Sequence, residues 1–233
     1  MSTMKNIYIL VAGICAFLLV SCLDTVDPIE ELNIFALTMT LLGGDQVYVV
    51  DEDSIIVLGY EMFIDSIGMV HLEGHDESIN PQQLWLASHW IGRPDESSVG
   101  FGEFVGGVYN GVSYAVVNPS SDEVGSIDTD LVERDEATGE VTNVYSIAVT
   151  GAYNGQLFLF RSKLSEKVQY GFYEVIEMPE FNGYLEVQLR GNWRQWFLNA
   201  EGNGILNPND PSNRDLIEEN ILKHFDVLTF KVG

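Results

Sequence analysis

Short apolar runs separated by turn residues recur along most of this chain, and they predict strands rather than helices. Residues 34–40 and 47–50 are β-branched and aromatic runs on either side of Gly43-Gly44-Asp45, the pattern of a hairpin. Residues 55–63 and 66–72 follow at similar spacing, with Gly68 placed for a bulge. A polar stretch, 73–83, precedes an aromatic one, 84–91. Residues 112–117 form another strand between Asn110-Gly111 and Asn118-Pro119. The acid-rich stretch 118–143 reads as an irregular loop with a small hairpin turning at Ala137-Thr138-Gly139. Runs at 144–149 and 156–161 flank Tyr153-Asn154-Gly155, a second Asn-Gly turn, and 168–178 is a long strand with Gly171 inside it. Residues 184–190 alternate cleanly, with Leu185, Val187 and Leu189 on one face and Glu186, Gln188 and Arg190 on the other.

Two segments change period near the end. Residues 193–199 predict one short turn or helix. Residues 214–225 predict a longer one, capped by Ser212 with Asp215 three residues on, and Ile217, Ile221 and Phe225 form its apolar stripe. A last strand at 227–231 returns to the sheet. The fold class is therefore all-β: an antiparallel β-sandwich, immunoglobulin-like or jelly-roll-like, with one or two short helices near the C-terminus.

The first apolar run differs from the others. Residues 7–20 follow Lys5, contain no acid, and end in Leu19-Val20-Ser21-Cys22. A basic start, an apolar stretch and a small residue before cysteine form a lipobox, the signal for cleavage and acylation at that cysteine. The run is shorter than the roughly 20 apolar residues that a membrane-spanning helix needs. This divides the chain into a cleaved lipoprotein signal peptide (1–21), a flexible acidic tether (22–32) and a single β-sandwich domain (33–233). Cys15 leaves with the signal and Cys22 carries palmitoyl lipid, so cysteine nucleophiles, thiolate metal sites and disulfides are excluded together.

Charge narrows the partners. Without Lys5 the chain keeps 10 of its 11 Lys and Arg against all 35 Asp and Glu, a net charge of −25. Between Cys22 and Asp130 the only basic residue is Arg93. Nucleic acid is excluded as a partner, because binding it means neutralising phosphates with Lys and Arg. Direct adhesion to anionic lipid is disfavoured for the same reason.

The order of features resembles a known family. After the lipobox come an N-terminal hairpin and a strand over 60–72, then Gly107-Val108-Tyr109-Asn110-Gly111-Val112-Ser113-Tyr114, a Gly-x-Tyr entry to a strand. Late in the chain follow the alternating strand, Trp196-Phe197, Gly202-Asn203-Gly204-Ile205-Leu206-Asn207-Pro208, and Ile217 to Ile221 before Phe225. This is similar to the methanobactin-partner (MbnP)-like β-sandwich lipoproteins common in Bacteroidota. The resemblance implies a sandwich at the outer membrane, and copper as ligand. The chain departs from the family where copper matters: the Met- and Trp-rich stretch expected after the Gly-x-Tyr strand is replaced by residues 116–130, which hold no Trp, His or Met.

Several constellations are candidates for chemistry. His71 and His75, four apart, share a face on a strand or a helix and suit Cu²⁺ or Zn²⁺, with Glu73 or Asp76 as an oxygen ligand. Asp51 and Asp53, and Asp128 and Asp130, lie in acidic loops that suit Ca²⁺, as do Asp122-Glu123 and residues 207–210; none has the EF-hand spacing. Trp85, Trp90, Trp193 and Trp196 are candidates for a glycan-stacking surface, or for the core. Glu174 and Glu177 are the carboxylates a hydrolase would pair, and no nucleophile elbow or phosphate loop is present. The leading expectation is a non-catalytic, lipid-anchored binding protein of the bacterial outer membrane, periplasmic or surface-facing. Its ligand would be calcium, copper or a surface complex. Glycan capture and paired-carboxylate hydrolysis are the alternatives.

Overall fold

The computed structural model describes residues 32–42, 46–74, 76–80, 83–91, 97–125 and 127–232. The signal, Cys22, the tether up to Glu31 and His75 lie outside the described residues. Two sheets carry the fold. The smaller has four strands, β1 (Asn33–Leu41), β6 (Ser97–Phe104), β13 (Tyr184–Gly191) and β14 (Phe225–Val232), in the order β14-β13-β1-β6. The larger is built on β3 (Asp53–His71), with β7 (Gly107–Val116), β10 (Ile147–Tyr153), β11 (Gln156–Ser162) and β12 (Glu166–Met178) in the order β11-β10-β3-β7-β12. Three further strands, β2 (Tyr48–Val50), β4 (Asp76–Asn80) and β5 (Trp85–Trp90), also pair with β3.

The all-β sandwich expected from the pattern is the architecture observed, and the reason is visible in β13. Its buried positions, Leu185, Val187 and Leu189, are fully shielded while Tyr184, Glu186, Gln188 and Arg190 are half-buried on the other face. The main core takes residues from both sheets, among them Phe35, Leu37 and Met39 from β1 and Tyr60, Met62 and Ile64 from β3. Such face-to-face burial is the dominant favourable term for two amphipathic sheets.

Local turn chemistry explains several elements. Asn154 and Gly155 both have positive φ, 49° and 77°, and close the β10–β11 hairpin, as an Asn-Gly turn should. Gly139 (φ 73°) closes the hairpin of β8 (Val132–Arg134) and β9 (Val141–Val144). Gly68 does sit at a bulge: the pairing of β3 with both β4 and β7 shifts register there, beside Ser66 at φ 52°. Residues 55–63 and 66–72, read as two strands, are therefore one bent strand.

Other expectations are corrected. Residues 34–40 and 47–50 do not form a hairpin. β1 instead lies parallel to β13 and antiparallel to β6, while β2 pairs with β3. The β1–β13 pair puts a parallel ladder into an otherwise antiparallel fold. Asn110-Gly111 is not a turn but runs through β7, where a Cβ on Gly111 would stand 2.6 Å from the Tyr170 carbonyl oxygen of β12. The acid-rich stretch holds the β8–β9 hairpin as expected, and beyond expectation a short helix, α1 (Ser121–Val124). Val124, Leu131, Val132 and Val144 pack with Phe63 and Ala148 in a second, smaller core over the outer face of the large sheet.

The helices are α2 (Trp193–Trp196) and α3 (Arg214–Lys223), the latter entered through a 3₁₀ turn at Pro211–Asn213. Ile217 and Ile221 are fully buried and Phe225 nearly so, as the stripe required. The cap differs. Ser212 does not cap α3: its N-cap is Asn213, without a side-chain bond, and Asp210 caps the 3₁₀ turn ahead of it by accepting the Ser212 amide at 2.9 Å.

Candidate functional site

The two ends of the sandwich differ in chemistry. One end, the base, gathers the start of β1, the end of β3, the β6–β7 turn and the end of β14. His71, the last residue of β3, sits six residues from Glu77 on β4, and the short β3–β4 connection brings their side chains together, with Nε2 3.2 Å from Glu77 Oε2. Glu77 also accepts the Tyr109 hydroxyl on Oε2 at 2.7 Å and the Val105 amide on Oε1 at 3.0 Å. Tyr109 packs against the His71 ring, tilted by 41° with centroids 4.4 Å apart, and its hydroxyl donates to the Val105 carbonyl at 2.8 Å. One carboxylate thus ties β4, β7 and the β6–β7 turn into a single knot, and Gly106 lets that turn press on Pro179, whose oxygen would be 2.4 Å from a Cβ there. Burial, then the contact with Glu77, holds the Tyr109 hydroxyl well above the usual phenol range.

Of the aspartates expected at calcium loops, Asp53 and Asp130 make hydrogen bonds within the fold, and Asp51 and Asp128 are exposed. Asp53 accepts the Tyr153 hydroxyl at 2.7 Å and the Asn154 amide at 2.8 Å, clamping the β10–β11 turn at the other end of the sandwich. Asp51 is exposed at the β2–β3 turn with φ 52°. Asp128 is exposed too. Asp130 accepts the Thr150 hydroxyl at 3.1 Å, its carbonyl accepts Arg161 Nε at 2.7 Å, and its amide donates to Glu61 at 2.8 Å. The two aspartate pairs are therefore not brought together. Among the described residues no three His, Cys, Asp or Glu side chains converge to hold a metal.

The hydrogen bonds from Asn154 and then Tyr153 hold the Asp53 carboxyl below its ordinary value of 3.8. A depressed folded-state pKa adds stability above the ordinary value and loses it as the pH falls through the folded one. Asp53→Asn should therefore be less stable than the parent at about pH 7, and the gap should close towards about pH 3, as urea unfolding at both would measure. A gap that is the same at both would mean that the clamp gains nothing from the charge.

The tryptophans split. Trp193 and Trp196 are fully buried in the main core, so no ring face is left for a sugar, which corrects the stacking expectation at both. The cause is α2, which turns both rings inward from the end of β13. Trp85 and Trp90 on β5 are partly buried; Trp85 packs against the main core, and the Trp90 ring lies over Gly59, where a Cβ would stand 2.5 Å from it. Glu174 and Glu177 are exposed on the edge strand β12. Among the described residues the one buried carboxylate is Glu61, which accepts the Thr129 hydroxyl and the Asp130 amide.

Sequence reasoning missed Glu61, Glu77 and the role of Tyr109. Glu61 had a signal: it is a lone charge inside the apolar run Tyr60 to Ile64. Glu77 had none, because it is one acid among several in a polar stretch.

No protein-family model matches the chain, and no curated protein matches it. Among solved structures it is similar to MbnP from Methylosinus trichosporium, at 10% identity and a TM-score of 0.36, over 84% of this chain and 97% of that one. That is a distant likeness of fold, and the copper expectation gains nothing from it.

Proposed function

We propose that the chain is a non-catalytic binding module of the cell envelope, held to the bacterial outer membrane by lipid on Cys22. The observation that carries this reading is the apolar run closing on Leu19-Val20-Ser21-Cys22 just ahead of an acid-rich sandwich. The use of its carboxylates supports the non-catalytic part. Glu77, Asp53, Glu61 and Asp130 each accept hydrogen bonds that fix a turn or loop. A rigid body of this kind acts by presenting surface, and the large sheet's outer face is already partly covered by residues of the second core. The small sheet and the base remain as contact faces.

The test is expression in a bacterium that acylates lipoproteins. The parent should lose residues 1–21 and carry acyl mass on Cys22, while Cys22→Ser should keep its apolar leader and carry no acyl mass, as mass spectrometry of the intact proteins would read. Soluble parent protein without acyl mass would sink the reading.

A further inference from the structure

Exposed large apolar side chains stand at both ends of the sandwich: Val47, Val49, Leu157 and Leu159 lie toward the end of the Asn154 turn, and a second group lies at the base, where the chain enters the domain. Leu32, Ile34, Leu72, Val105, Val108 and Val232 are all exposed, Val232 by 67% and Leu72 by 55%, and all six belong to the base of the sandwich. The pairing establishes this. Ile34 lies beside Tyr184, and Tyr184 beside Val232, so the three form one row on the outer face of the small sheet. Asn33 faces Phe104, which puts Leu32 and Val105 next to each other at the same edge. The Leu72 amide donates to the Val108 carbonyl at 2.9 Å, and Val108 is the second residue of β7, just past the β6–β7 turn. Phe101 and Phe230, one row further from the base, extend the apolar surface over the small sheet. Exposed apolar side chains gathered at one end of a domain suit a protein or membrane contact.

We propose that this base is seated in the headgroup region of the membrane to which Cys22 tethers the chain, with the opposite end, marked by Asn154 and Leu157, pointing away. This rests on the lipid anchor proposed above. Nine residues lie between Cys22 and Leu32, and their ten links span at most about 33–36 Å when fully extended. The base, where Leu32 begins the domain, is the end at which the covalent tether joins it. Charge selects the lipid. Glu103 and Glu186 lie among the residues of this apolar collar and Glu73, Glu177 and Glu180 beside them, with Lys231 donating to the Glu177 carbonyl, so a zwitterionic surface suits it and an anionic one repels it. A second copy of this chain is a poorer occupant, because each copy without its leader has 10 Lys and Arg against 35 Asp and Glu, a net charge of −25. The acidic body and the apolar collar then divide the work of orientation: one is pushed from the surface, the other drawn to it.

Cys22 is the only cysteine after the leader, so acylation leaves no free thiol and one introduced cysteine reports one position. The full chain, produced with its lipid and placed in phosphatidylcholine vesicles, is labelled with a polarity-sensitive dye at Val105→Cys, Val232→Cys or Leu157→Cys in turn. The labels at 105 and 232 should shift to the blue and be quenched several-fold more by a lipid-borne quencher than the label at 157. Adding phosphatidylglycerol should weaken that contrast. Equal quenching at all three positions, on protein that carries acyl mass at Cys22, overturns the seating while leaving the anchor intact. Protein without acyl mass overturns the anchor instead. Shielding of 105 and 232 in whole envelopes but not in pure lipid vesicles means a protein covers the collar, and also overturns the proposal.

Discussion

Replacing Trp196 by Ala is expected to cost about 3–5 kcal/mol of folding stability, the range for deleting a large aromatic from a core. The ring is fully buried and lies edge-on to Tyr60 with centroids 5.6 Å apart, and 5.6 Å from Phe225. Its Nε1 donates to the His224 carbonyl at 3.2 Å, so it also holds the end of α3. Gly191 makes room for it: a Cβ there would stand 2.4 Å from the ring, which leaves little slack for neighbours to collapse into the space. One kcal/mol shifts the melting temperature of a domain this size by about 2–4 °C, so thermal melting should register a drop of about 6–20 °C. Trp196→Phe keeps much of the volume and loses the hydrogen bond, and should fall between parent and Ala. An Ala variant within about 1 kcal/mol of the parent would mean that the core does not depend on this ring.

The second large effect is a contrast between two glycines in strands. At Gly151 a Cβ would meet the Ile56 carbonyl oxygen at 2.2 Å and the Phe158 ring at 2.7 Å, at a point where β10 and β3 shift register. The oxygen belongs to the backbone and cannot swing aside. Gly151→Ala should cost about 1–3 kcal/mol or more, as for overpacking. At Gly171 the nearest atom to a Cβ is the Asn110 oxygen at 3.9 Å, an ordinary contact. Gly171→Ala should therefore be neutral or stabilise by up to about 1 kcal/mol, by reducing the freedom of the unfolded chain. Urea unfolding of the two variants side by side checks both, and equal losses would contradict the close-approach argument.

How far the sequence could be read depends on the range of the interactions involved. β13 was legible because alternation is local and one of its faces is buried. The Asn154-Gly155 and Gly139 turns were legible because positive φ is a property of the residues themselves. The place of β1 was not: its partners are β13 and β6, and nothing within residues 33–41 encodes a strand more than 140 residues away. The inviting Gly43-Gly44-Asp45 then pointed to the nearest strand instead. Asn110-Gly111 failed for a related reason, since the pair is used for close passage beside Tyr170 rather than for a turn. Of the candidate site, His71 was legible as a residue but its partner Glu77 was not, because the pairing depends on how β3 and β4 meet. Trp193 and Trp196 carried no sign of direction. A four-residue helix turned them inward, and only the packing of β13 against α3 decides that.

The position of β1 also governs timing. It is the first strand of the domain, yet it lies inside the small sheet, between β6 and β13. On a chain emerging from the ribosome, β1 and β6 are available early, but the ladder on the other side of β1 waits until Gly191 has been made. Long-range and parallel pairings are slow to form in any case. The small sheet therefore stays unfinished for most of synthesis, the state in which a polypeptide can still be unfolded or threaded before it locks.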